Sequence, residues 1–221
     1  MELKGKRINF LGDSITEGHG TSDWGTKPYH QLLRVRCELA EARNYGLGGT
    51  KIARLPVITE HQFDQDFNLR AEKMNHDADA VVVFGGTNDF GHGTIPLGDM
   101  DSRDIHTFYG GLHTLCTFLI NTYKDKPIIF MTPLHRLNEV LDHNNRMKEG
   151  NKNARPLIDF VRAEREVCEF YGIPVLDLYR DCAMYGQNWA WCEKYMPDGL
   201  HPSDAGHELI ANKLQKFLEN F

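Results

Sequence analysis

A serine directly behind Gly12-Asp13, and an Asp-x-x-His pair close to the other end of the chain, carry the chemistry that stands out. Acyl transfer to a serine needs a base for the hydroxyl proton, an acid that orients the base, and donors for the oxyanion. His201 is the candidate base, held between Leu200 and Pro202. Asp198, three residues earlier, can fold back through Gly199 and accept from the other ring nitrogen, fixing tautomer and orientation. Ordinary roles stand beside these. Ser14 is also a good N-cap for a helix starting near Ile15, Asp198 a turn residue, and His201 a loop histidine.

Three groups are candidate oxyanion donors: the backbone N–H of Gly49, the side-chain amide of Asn88, and the backbone N–H of Ser14. Gly49 has no Cβ to keep a reacting carbonyl at a distance, although a glycine there also suits an ordinary turn. Asn88 lies in Gly86-Thr87-Asn88-Asp89, where it serves equally well as an Asx-type turn cap.

The elements that must position these residues follow from the apolar runs. Ile8 to Leu11 reads as a first strand closed by Gly12-Asp13. Pro28 opens a helix to about Leu39, with Leu32, Leu33, Val35 and Leu39 for its buried face, and a short strand follows over 40–45. The polar segment from Thr59 to Asn75 is expected to be helical. Ala80 to Phe84, β-branched and unbroken, predicts a central strand covered on both faces. A loop then runs to about Asp104, before a helix over 108–123 and a strand over 128–131. Leu134 to Asn153, with His135 and His143, reads as a long mobile loop over the sheet edge. A helix over 156–171, a strand over 174–177 and a last helix opening at Pro202-Ser203-Asp204 complete the chain. Leu209, Ile210, Leu214, Phe217 and Leu218 form that helix's stripe. Strands alternating with helices predict a parallel sheet flanked by helices. In such a sheet every strand's carboxyl end lies along one edge, so residues distant in sequence can converge there.

At 221 residues the chain fits one domain, 1–221, with a substantial core. Hydrophobic residues at 41% and charged residues at 25% sit near globular averages and favour neither a disordered nor a membrane-spanning chain, and a net charge of −6 argues against a nucleic-acid partner. No apolar leader separates Met1 from the first strand, so the five scattered cysteines are expected to be reduced, in a cytoplasmic protein. The chain lacks a Gly-x-Ser-x-Gly elbow, a P-loop, a dinucleotide fingerprint and His-Glu-x-x-His. Its eleven histidines match no standard metal-ligand spacing and are mostly expected at the surface. Trp24, Trp189, Trp191 and Tyr195 flank the candidate residues and are either core or pocket wall.

Taken together, four stretches resemble the SGNH (GDSL-type) esterase and lipase family over nearly the whole chain. They are Gly12-Asp13-Ser14, Asn44-Tyr45-Gly46-Leu47-Gly48-Gly49, Gly86-Thr87-Asn88-Asp89 and Asp198 to Pro202. Gly48 departs from the pattern, standing where many members have serine. The resemblance implies a flavodoxin-like α/β fold, a three-layer α/β/α sandwich around a five-stranded parallel sheet. It implies Ser14 as nucleophile, His201 as base, Asp198 as its orienting acid, and Ser14, Gly49 and Asn88 as oxyanion donors. It further implies hydrolysis of a small-molecule ester through an acyl-enzyme, with no metal or organic cofactor; membrane insertion is not expected because no apolar stretch is long enough for a span. Analogy within the family points to short acyl groups, such as acetyl on a sugar. Two alternatives stay open: an acyl-CoA thioesterase or acyltransferase using the same residues, and a non-catalytic binding module on the same fold.

Overall fold

A computed structural model of the chain describes residues 1–92, 95–140 and 155–221. Five strands, β1 (Arg7–Gly12), β2 (Glu41–Gly46), β3 (Ala80–Phe84), β4 (Ile128–Met131) and β5 (Val175–Leu176), form one sheet in the order β2-β1-β3-β4-β5. Every pairing is parallel. Gly12 is level with Gly46 on one side and Phe84 on the other, so three strands stop at a common edge.

Period-2 alternation sends successive strand residues to opposite faces, and each face has its own core. Leu11, Val81, Val83 and Phe130 pack against α3 (Phe67–Ala71), α5 (Phe108–Thr122) and α6 (Leu157–Tyr171). Ile8, Phe10, Val82, Phe84 and Ile129 pack against α2 (Tyr29–Arg36) and α9 (Asp204–Glu219). The result is three layers, helices on both faces of a parallel sheet. All five residues of β3 are buried, as its unbroken apolar run requires. β2 is an edge strand, and its Glu41, Arg43 and Asn44 leave it without a fully buried residue.

The helix expected over 59–75 is replaced by a 3₁₀ turn, Gln62–Asp64, and the five-residue α3. Aspartates there capture backbone donors in turn geometry: Asp64 accepts from the Thr59 N–H, and Asp66 caps α3 by accepting from Leu69. Within the loop expected over 85–104 lies α4 (Thr87–Gly91), and α1 (Ser14–Glu17), α7 (Leu178–Asp181) and α8 (Trp189–Tyr195) are likewise additional. Helices this short show no apolar period to read. Val35 is 67% exposed rather than buried, because it sits two residues, more than half a turn, from the buried Leu33. Tyr29 and His30 occupy that face instead. On α9 the cap is Ser203, as expected, and the buried stripe is Ile210, Ala211, Leu214 and Leu218, with Leu209 and Phe217 only partly covered.

Of the loop expected over 134–153, residues 141–153, including His143, lie outside the described residues. The described cysteines are all free, four of them buried and Cys37 half-buried. Three of the eleven histidines, His30, His113 and His207, are buried, and burial pushes His30 and His207 down to about 4. Among the described residues no helix is long and apolar enough to cross a membrane.

Candidate active site

Ser14 is the first residue of α1, immediately beyond β1, but it does not cap that helix. Asp13 is the N-cap, accepting from the Ile15 N–H at 3.0 Å, which leaves the Ser14 hydroxyl uncommitted to the backbone. Its Oγ lies 3.0 Å from His201 Nε2, and His201 Nδ1 lies 2.6 Å from Asp198 Oδ2. The second Asp198 oxygen accepts from the Leu200 and His201 N–H groups at 2.9 and 2.7 Å. Partial burial works against the Asp198 charge, but hydrogen bonds from the His201 ring and these two amides outweigh it, holding the carboxyl well below its usual range. An ionised Asp198 takes the Nδ1 proton as its hydrogen-bond donor, which leaves the Nε2 lone pair facing Ser14.

Gly49 follows β2 with φ +75°, in the left-handed region that favours glycine, and a Cβ there would sit 2.4 Å from the Phe63 ring. Asn88 lies in α4, beyond β3, and its Nδ2 donates to the Thr50 carbonyl at 3.0 Å. That bond fixes the amide and leaves its second hydrogen without a backbone partner. Among the described residues no protein group accepts from the Ser14 or Gly49 backbone N–H. Ser14, Gly49, Asn88 and His201 line one open cavity of about 270 Å³, completed by His19, Gly48, Gln62, Phe63, His92 and Leu200. The cavity thus brings together a hydroxyl, an imidazole base and three N–H donors. That set can move a proton from Oγ to Nε2 and receive a negative oxygen.

Trp24, Trp189, Trp191 and Tyr195 do not line this cavity. Trp24 and Trp189 are 49% and 59% exposed, so they are not core either. Trp24 packs behind the wall against His19, ring centroids 4.7 Å apart, while Trp191 stacks on Tyr195. The aromatic wall is Phe63, which the polar composition of its segment did not reveal.

Several positioning residues also escape sequence reasoning. Asp89 accepts from the Ile52 and Ala53 N–H groups at 3.0 and 2.9 Å, docking the loop that holds Gly49 onto α4. Arg70 donates to the Tyr45 carbonyl and to Thr50 Oγ1, and Glu17 accepts from the Gly48 N–H at 2.8 Å. Only the adjacency of Asp89 to Asn88 signalled any of these; Arg70 and Glu17 have no local pattern.

Burial pushes Asp89 up from 3.8 to about 6, against the pull of the two amides, and Asp13 is raised likewise. A folded-state value above the unfolded one stabilises at low pH, and that stabilisation is lost as pH rises through the folded value. Urea denaturation of the wild type and Asp89→Asn across this range is therefore expected to diverge. Relative to the variant, the wild type should lose up to about 3 kcal/mol between about pH 4 and about pH 7. Parallel stability curves would show that Asp89 titrates normally.

A model of the GDSL-like lipase/acylhydrolase family matches residues 10–209. A GDSL esterase/lipase of Arabidopsis thaliana is 25% identical over 223 residues, covering 97% of this chain and 86% of the relative. An isoamyl acetate-hydrolyzing esterase 1 homolog of Bos taurus is 24% identical over 221 residues, covering 96% and 81%. A crystal structure of a protein from Lactobacillus plantarum superposes with a TM-score of 0.83 at 32% identity, covering 99% of this chain and 98% of the other.

Proposed function

Because the chain belongs to the GDSL-like lipase/acylhydrolase family, whose members are carboxylic ester hydrolases, we propose that it is a single-domain serine esterase for short acyl groups, with Ser14 as nucleophile. The observation that carries the reading is the unbroken line from Asp198 through His201 to the Ser14 hydroxyl, at 2.6 and 3.0 Å. Ser14 Oγ attacks the ester carbonyl carbon as His201 Nε2 takes its proton. The carbonyl oxygen becomes an oxyanion and accepts from the Ser14 and Gly49 N–H groups and from Asn88 Nδ2. Asp198 stabilises the imidazolium. The C–O bond to the alcohol then breaks, and His201 returns the proton to the departing oxygen. Water attacks the acyl-Ser14 ester, giving a proton to His201; collapse frees the carboxylic acid and restores the Ser14 hydroxyl.

Short acyl groups fit because Phe63 packs directly over Gly49, one of the proposed oxyanion donors, and narrows the cavity on that side. The bovine relative is named for an acetate ester, which agrees with a small acyl part. A series of p-nitrophenyl esters of rising chain length tests this. Wild-type kcat/KM is expected to fall beyond the short chains, by roughly 10-fold or more for a few excess methylenes. Phe63→Ala should move the optimum to longer chains. A wild type that favours long chains, with Phe63→Ala unchanged, would overturn the short-acyl assignment.

A further inference from the structure

Arg136 is a charged side chain, 2% exposed, that the reaction as written does not use. Its Nη1 donates to the Thr87 carbonyl at 3.2 Å and to Thr87 Oγ1 at 3.0 Å, in the first turn of α4. The guanidinium lies 5.4 Å from the centre of the Phe90 ring, and Nε is buried with no acceptor. The absence of a side chain at Gly91 makes the room, since a Cβ there would stand 2.8 Å from Nη1. Among the described residues no carboxylate pairs with the Arg136 guanidinium: Asp13, Asp198 and Glu139 act on it through their fields, and Glu139 accepts only from the Arg136 backbone N–H, at 3.4 Å.

The backbone beside it runs to the other half of the site. Gln187 Nε2 donates to the Arg136 carbonyl at 2.9 Å, and the Leu137 N–H donates to the Gly199 carbonyl at 2.8 Å. Gly199 lies inside the turn that folds Asp198 back onto His201. Consecutive residues thus hold the turn that carries Asn88 and the turn that carries the base.

A buried cation without an ion-pair partner carries a desolvation cost, which an anion forming beside it would offset. Resting on the esterase reading above, we propose that Arg136 is a positioning residue. It locks the Asn88 turn against the His201 turn, and it places behind the developing oxyanion a positive charge whose guanidinium has no carboxylate in contact among the described residues. The substrate ester is neutral and the tetrahedral intermediate is anionic, so the charge acts on the transition state and little on binding.

The test compares the wild type with Arg136→Met, Arg136→Lys and Thr87→Val on p-nitrophenyl acetate, with melting temperature and Ser14 labelling by a fluorophosphonate on the same preparations. Arg136→Met, which keeps the volume and loses the charge, should lower kcat by about 10- to 100-fold with KM within about twofold. Arg136→Lys should recover part of that loss, and Thr87→Val, which removes one acceptor and no charge, should cost less. If Arg136→Met does not fold, a lysine variant no slower than Thr87→Val supports the charge, and one as inactive as a Ser14→Ala control contradicts it. Wild-type kcat per folded Arg136→Met molecule, with Ser14 still labelled, would overturn the inference alone. A wild type not labelled at Ser14 would overturn the esterase reading and this inference with it.

Discussion

Ser14→Ala is expected to lower kcat by at least about 10⁴-fold, leaving the residual rate that binding and oxyanion donors support without a nucleophile. The fold should survive. The deleted hydroxyl touches His201, and the capping bond at the start of α1 belongs to Asp13, so no backbone donor is orphaned. Had Ser14 been the cap, its loss would have cost about 1 kcal/mol and frayed α1. Melting should instead shift by no more than a few degrees, roughly the effect of a mild surface change. Steady-state kinetics and a thermal melt on one preparation check both halves. Near-wild-type turnover in a folded variant would remove Ser14 from the chemistry.

Asn88→Ala carries the next largest effect, with kcat falling by on the order of 10²–10³ while KM stays within about twofold, because the lost donor meets charge that exists only in the transition state. Here the structure adds a cost to stability. Asn88 Nδ2 also holds the Thr50 carbonyl, so alanine leaves a buried acceptor unpaired, at about 1–3 kcal/mol. The two effects separate when kcat is expressed per folded molecule. A large loss of stability with unchanged kcat would make Asn88 a strut for the Gly49 loop and nothing more.

The parts of this fold legible in the sequence are those with a dense local signal. β3 and β4 begin and end where their β-branched and apolar runs do, α5 and α6 fall within about a residue of their expected spans, and α9 opens after its expected Ser203 cap. Short elements were not legible. α4 is five residues long and its single turn is set by Asp89 and Thr87, whose partners lie in other segments. The segment over 59–75 misled because its Asp and Thr residues hydrogen-bond locally in turns rather than following a helical period. Of the candidate site, Ser14, Gly49, Asn88, Asp198 and His201 all lie in short recognisable stretches, and one sheet edge brings the five together. Asp89 shares the Asn88 stretch, but nothing local marks its bonds to Ile52 and Ala53, and Arg70 and Arg136 have no signature at all. They are charged residues whose partners are backbone groups and hydroxyls tens of positions away, a pairing that leaves no spacing to recognise.

The covalent intermediate offers the most direct test. The chain is mixed with p-nitrophenyl acetate, quenched in acid within the first turnovers, digested and mapped by mass spectrometry. The peptide containing Ser14 is expected to gain the mass of an acetyl group, and to stay unmodified in a His201→Ala control treated alike. Acetyl on a different residue, or turnover with no acylated peptide at any quench time, would contradict Ser14 as the nucleophile.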